Sequence, residues 1–313
     1  MTDSIKNADV LAINEETRDI YHAQHQRIVH DDKAMKRFLN MVREDYFGLP
    51  EHYFKGAKVL DAGCGDTAKL LIRFHDFGCE DLTGIDLGDE YINVASKNLI
   101  KHGVPETMFK LLSGSVDELP FNDESFDFVC CHGVLLHLAN IDQAKRAFGE
   151  LARVTRRGGG QLYVVGGVYG GLIEFVLPSI REFYRTNPEF KSLIDNISPD
   201  DFSGLFEYIN RELMSRGQTG VDLNYLAGML DVDFCTTLQN LIQAPVRLTL
   251  SPEFFNTEYF NCGFENPRRL RRYVTRDNIR KYLSPLHWRL DHPISKILYG
   301  DGNLEFIACK KIN

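Results

Sequence analysis

Residues 59–71 read VLDAGCGDTAKLL: an apolar run, a turn holding Gly63 and Gly65, and the start of an amphipathic helix. Gly63-Cys64-Gly65-Asp66-Thr67-Ala68 fits the pattern G-x-G-x-x-G/A in the strand, turn, helix setting that gives the pattern meaning. Gly63 permits the tight turn, Gly65 lets a ligand approach the backbone, and the small Ala68 lets helix and strand pack closely. A second apolar run, LTGIDL, ends in Asp86, 23 residues after Gly63, near the spacing at which an acid accepts hydrogen bonds from ribose hydroxyls. The pair predicts a nucleoside-cofactor site. A dinucleotide would set its pyrophosphate at the helix N-terminus, whereas S-adenosylmethionine would present its amino-acid end there. Asp61 and Asp66 repel a pyrophosphate but suit an α-ammonium and a sulfonium, which favours the second cofactor.

Three side chains stand out as bases. His132 lies at the end of the apolar run FDFVCCH, on the carboxyl edge where open α/β sheets bind ligands. His137 follows five residues later, not the three or four that align two ligands on a helix face, so no metal site is read from the pair. His137 reads either as a ligand-side group or as a half-buried helix histidine. Glu174 sits among apolar neighbours, as a base with a raised pKa or as a solvated helix glutamate. Methyl transfer from a sulfonium is an in-line displacement in which positioning does much of the work. An amine acceptor needs only to arrive neutral; a hydroxyl or carbon acid needs a general base such as His132, His137 or Glu174.

Short β-branched runs alternating with amphipathic stretches supply the elements that would hold these residues. KVLDAG, DLTGIDL, MFKLLSGS, FDFVCCHG and GQLYVVGG read as strands, with helices through Leu70 to Phe74, Tyr91 to Leu99 and Ile141 to Val154. That order predicts crossover units and a parallel sheet. Ahead of it, Ile20, Tyr21, Ile28, Met35, Phe38, Leu39 and Val42 keep a helical spacing from Glu15 to about Arg43. After Gly171 the chain turns mainly helical, and Leu223, Leu226, Leu230, Phe234, Leu238 and Leu241 form one apolar face. Then PEFFNTEYF reads as a helix, Cys262 to Phe264 as its exit turn, and NPRRLRRYV and NLEFIACKK as strands. The expected organisation is an N-terminal helical lid at 1–57, a cofactor-binding core at 58–167, a helical insertion at 168–250 and a return to the sheet at 251–313. The insertion leaves the end of the fifth strand, which makes it the expected roof of an acceptor pocket, or a homodimer face.

Composition narrows the partners. The chain has 313 residues, 43% apolar and 26% charged, which excludes a disordered or disulfide-stapled protein. A net charge of −8 disfavours nucleic acid as a generic partner, and the arginines at 268, 269, 271, 272, 276 and 280, with Lys281, form its one basic cluster. They read as solvated or ion-paired groups, or as a site for an anionic acceptor. Seven cysteines with no CxxC pair predict reduced thiols and a cytoplasmic location. The acidic N-terminal stretch lacks the features of a signal peptide, and no apolar run is long enough to span a membrane.

With these motifs in place, the sequence resembles the class I S-adenosylmethionine-dependent methyltransferases, in particular their small-molecule group, over about residues 55–165. VLDAGCGDT is similar to the family's first motif and LTGIDL to its second, while LLSGSVDELPFNDESFDFVCCHGVLLHL is the most specific stretch. The resemblance implies a Rossmann-like, doubly wound, seven-stranded sheet, mostly parallel with an antiparallel last strand, plus N-terminal helices and a helical cap. It implies a cofactor site of Asp61, Gly63, Cys64, Gly65, Asp86 on the ribose, Leu87 beside the adenine, Ser115 and Val116 at the adenine edge, and Cys131 near the ammonium, with Tyr21 closing over it. Ser115 stands where the family usually carries Asp. The expected activity is methylation of a small organic acceptor, leaving S-adenosylhomocysteine. Peptide or tRNA methylation, nicotinamide-dependent oxidoreduction and a non-catalytic cofactor-binding module are the alternatives.

Overall fold

The computed structural model describes residues 7–29, 32–168, 170–198, 203–220, 238–239, 241–270 and 303–312. These fall into two compact units, one holding the described residues up to 168 with 245–270 and 303–312, the other lying within 170–244. The apolar positions Leu223 to Phe234, and the basic residues from Arg271 to Lys281, lie outside the described residues.

The first unit is built on a seven-stranded sheet: β1 (Lys58–Ala62), β2 (Asp81–Asp86), β3 (Phe109–Ser113), β4 (Phe128–His132), β5 (Gln161–Val168), β6 (Phe264–Arg269) and β7 (Asn303–Lys310). Their order across the sheet is β3-β2-β1-β4-β5-β7-β6, with β7 antiparallel to both neighbours and the first five mutually parallel. The expected fold class holds, antiparallel last strand included. Strands buried on both faces need continuous apolar runs, and Val59-Leu60 and Phe128 to Cys131 supply them in the centre.

Among the described residues six α-helices accompany the sheet or precede it, α1 (Asn7–Val29), α2 (Asp32–Met41), α3 (Lys69–Asp76), α4 (Asp89–Lys101) and α5 (Ile141–Val154) in the first part of the chain and α9 (Pro252–Asn261) between β5 and β6, and a 3-10 turn at Glu44–Phe47 completes the N-terminal segment. One face of the sheet packs α5 and α9 through Phe148, Leu151, Phe255 and Tyr259. On the other face Phe47, Phe54, Phe74, Phe128 and Tyr163 cluster, Phe47 meeting Tyr163 edge to face at 5.0 Å and Phe128 at 5.1 Å. Such pairs add about 0.5–1.5 kcal/mol each beyond their buried area.

Two boundaries depart from the sequence reading. The N-terminal helix begins at Asn7, ahead of Glu15. β6 begins at Phe264 rather than after it, and the pairing register with β7 shifts between Glu265 and Arg268. Asn266, at a φ of 43°, and Pro267, which has no N–H to donate, occupy that irregularity, which an edge strand tolerates.

The second unit contains α6 (Leu172–Thr186), α7 (Pro188–Asp195) and α8 (Ser203–Ser215). Ile194, Ile197, Leu205 and Ile242 form its small core. Asp195 joins its parts, accepting from Tyr184 at 2.6 Å and Gln243 at 2.8 Å and pairing with Lys191.

Candidate functional site

Strand order reverses between β1 and β4, and open α/β sheets bind ligands at such a switch point, beyond the carboxyl ends of the strands. The glycine turn lies there because β1 ends at Ala62 and α3 begins at Lys69. Gly63 has a φ of 88° and Gly65 of 60°, conformations open to glycine at no steric cost. A Cβ on Gly63 would also come within 2.1 Å of Val134 Cγ2, so the turn after β4 closes tightly on the turn after β1. Ala68 itself takes a left-handed conformation, φ 44°, immediately before α3.

Asp86 ends β2 with its carboxylate clamped between two backbone donors. Gly65 N–H gives a 2.8 Å bond to Oδ2, and Leu87 N–H gives a 2.8 Å bond to Oδ1. A carboxylate accepts about four hydrogen bonds, so this clamp orients the group while leaving it chemistry to offer. Asp61, on β1, is 2% exposed, and its Oδ1 has no hydrogen-bond partner among the described residues. Burial, then the neighbouring Asp86 charge, push its carboxyl up to about 7, against the opposing pull of Lys69.

Helix α1 lays one face across this region. Its positions 18, 21, 22 and 26 share a helical side, and they reach three different elements. Tyr21 hydroxyl lies 2.6 Å from His137 Nε2, in the turn after β4. Gln26 Nε2 donates to Asp66 Oδ2 at 3.0 Å, and His22 Nδ1 lies 3.8 Å from the same oxygen. Arg18 pairs with Glu90 at 3.4 Å, and its carbonyl accepts from the Tyr91 hydroxyl at the start of α4. Asp66 is fully buried under these contacts. It therefore anchors α1, a role distinct from the ligand-facing one that its charge suggested.

Other candidates are dispersed. Cys64 and Cys131 are buried, and burial drives both thiols up, away from any role as thiolates. Val116 is buried, while Ser115 donates its hydroxyl to Asp117 Oδ1. Asp117, which also pairs with Arg146 at 3.4 Å, thus brings a carboxylate to the position where Ser115 interrupts the pattern. His132 closes β4 with its ring 6.5 Å from Phe38 and 6.4 Å from Tyr163. Glu174 belongs to the second unit, where its Oε2 accepts the Gly170 N–H at 3.0 Å. Arg268 donates to the carbonyls of Phe47 and Gly48 at 3.3 and 3.2 Å, so its work is to hold the N-terminal segment.

His22, Gln26 and Asp117 were not among the residues singled out from the sequence. A signal existed for two of them, since the helical spacing 18, 21, 22, 26 was readable; nothing in a sequence says which helix face lands on which turn. Among the described residues no group of acids, histidines and cysteines is arranged to hold a metal ion, and six cysteines are unpaired. No described helix is long and apolar enough to cross a membrane.

Comparison with known proteins comes to the same stretch. A family model described as a methyltransferase domain matches residues 60–163. The methyltransferase YcgJ of Bacillus subtilis is 34% identical over 107 residues, 34% of this chain and 40% of that protein. The demethylmenaquinone methyltransferase of Bacillus velezensis is 32% identical over 107 residues, 34% of this chain and 43% of its own length. The chain thus spans less than half the length of these curated relatives. The solved structure of YcgJ superposes with a TM-score of 0.43 at 16% identity, covering 82% of this chain and 93% of that one.

Proposed function

We propose that residues 60–163, which match a family model described as a methyltransferase domain, are an S-adenosylmethionine-dependent methyltransferase core of class I, and that the protein methylates a small organic acceptor. The observation that carries this reading is the clamp on Asp86, whose carboxylate is held at 2.8 Å by both Gly65 and Leu87 N–H beside a positive-φ glycine turn. A fixed carboxylate at that place suits a ribose diol. The orphaned Oδ1 of buried Asp61 suits an α-ammonium, which would complete its hydrogen bonding and favour its charged form. When bound, S-adenosylmethionine supplies an electrophilic methyl group on a sulfonium. Asp86 and Asp61 would hold it, Ser115 with Asp117 would face the adenine edge, and Tyr21 on His137 would shield the site from water.

His132, at the carboxyl end of β4, is assigned as the group that takes a proton from an acceptor needing a base. Glu174, whose carboxylate accepts the Gly170 N–H just ahead of α6, is given no role in this reading. The net charge of −8 and the small-molecule substrate in the name of the demethylmenaquinone methyltransferase both favour a small acceptor over RNA.

Calorimetry tests the core of the proposal. S-adenosylhomocysteine should bind in the micromolar range while NAD does not, and Asp86→Ala should abolish binding without unfolding the protein. Binding of NAD alone would overturn the reading. With cell extract as the source of acceptor, a product heavier by one methylene should survive prior RNase and protease treatment; its loss after either treatment would transfer the acceptor to that class.

A further inference from the structure

One buried carboxylate plays no part in the site above. Glu305, on β7, is 1% exposed. Its Oε2 accepts from the Tyr163 hydroxyl at 3.2 Å and from the Tyr46 hydroxyl. The two phenol donors fix the orientation of the carboxylate inside the core. The pairing register then sets Glu305 in line with His132: His132 lies opposite Val165, and Val165 lies opposite Glu305. Directly paired residues project to the same face of a sheet. Two strand spacings amount to about 10 Å between the backbones of His132 and Glu305. Val165 lies between them in that row, and Tyr163, two residues before it on the same face, has its ring 6.4 Å from the His132 ring and its hydroxyl on Glu305.

Several other charged and titratable groups among the described residues lie near that face. Asp61 on β1 and Lys69 on α3 are near enough to influence each other, and Lys69 Nζ lies 4.2 Å from the centre of the Phe38 ring that borders His132. Arg268 on β6 is bound to the carbonyls of Phe47 and Gly48. Cys130 lies beside Asp61 and Tyr163, and burial drives its thiol well above the ordinary range. Tyr46 and Tyr163 both point their hydroxyls at Glu305.

We infer that Glu305 is a positioning residue for methyl transfer, whose buried carboxylate, held in place by Tyr46 and Tyr163, stabilises the imidazolium formed when His132 takes the acceptor's proton. The inference rests on the assignment of His132 as base. In the step it serves, the acceptor's bond to hydrogen breaks as its bond to the methyl carbon forms. The carbon–sulfur bond of the cofactor breaks with its electron pair remaining on sulfur, and the proton ends on His132. A carboxylate fixed near a histidine favours the protonated ring even without contact, because burial weakens screening.

Histidine-labelled protein, with the His132 signal assigned through His132→Gln, allows its titration to be followed by NMR without cofactor or acceptor. In the unaltered protein His132 should titrate above the ordinary value of about 6.5 in spite of its partial burial. Glu305→Gln should lower that midpoint by about one unit, and Glu305→Asp should keep it near the unaltered value. A midpoint at or below 6.5 in the unaltered protein overturns the inference, whether or not Glu305→Gln folds. So does an unmoved midpoint in a folded Glu305→Gln protein. Failure of the base assignment would look different: His132→Gln would retain methyl transfer while the coupling to Glu305 persisted.

Discussion

Tyr21 and His137 are 116 residues apart in the chain and joined by a 2.6 Å contact between the phenol oxygen and Nε2, with their rings 4.6 Å apart. This contact ties α1 to the turn that follows β4, at the carboxyl edge of the sheet. If the pair shields bound cofactor, Tyr21→Phe keeps the ring and removes one part-buried hydrogen bond, worth about 0.5–1.5 kcal/mol. Affinity for S-adenosylhomocysteine should fall about 2- to 12-fold, and combining Tyr21→Phe with His137→Ala should cost less than the two separate losses added. Full additivity in calorimetry would show that the two side chains do not act together.

Gln26 and His22 hold the same helix to the glycine turn through Asp66. Gln26→Ala leaves the fully buried Asp66 short of a donor. The expected result is a helix that opens more often, with proteolytic cleavage within α1 speeded about 3- to 10-fold and the sheet core intact, as a loss of about 1 kcal/mol implies. Unchanged cleavage kinetics would mean that Gln26 carries none of the attachment.

Gly63 combines a φ of 88° with a vacant Cβ position 2.1 Å from Val134 Cγ2. Gly63→Ala should therefore destabilise by about 2–4 kcal/mol, the left-handed strain of about 1–2 kcal/mol plus an overpacking cost. Adding Val134→Ala should recover the overpacking part and leave the backbone part. Denaturant melts of the two single variants and the double variant measure the split.

Asp61 makes stability depend on pH in a defined direction. Its carboxyl is raised to about 7, first by burial and then by Asp86. A raised folded-state pKa means that the proton is bound more tightly in the folded chain. The stabilisation is thus complete below the unfolded value of about 4 and is lost as pH climbs to about 7, a span that limits the effect to about 4 kcal/mol. Asp61→Asn should be less sensitive to pH across this window and more stable than the unaltered protein at pH 8. An identical pH profile for the two proteins would place the Asp61 carboxyl at an ordinary value.

Much of the core was readable from local pattern. The helix Ile141 to Val154 came out at the same bounds as α5, and the turn at Gly63 to Ala68 lies between strand and helix as its glycines required. The strand read from Asn266 onward begins two residues earlier, at Phe264, because pairing to β7 carries the chain through a register shift at Asn266-Pro267 that local pattern does not show. Ser115 shows the other limit. Taken singly it is a gap in a motif, and only the fold reveals Asp117 bonded to it.

Apolar periodicity and glycine placement determined the order of strands and helices, the acids at Asp61 and Asp86, and the class of cofactor they suit. Those are local properties, set by backbone sterics and by which side of each element must be buried. The tertiary structure alone decided which distant side chains meet: Tyr21 with His137, Gln26 with Asp66, and Glu305 in one register row with His132. Such pairings depend on how helix faces and strand registers settle when the whole core packs, and no local spacing encodes that outcome.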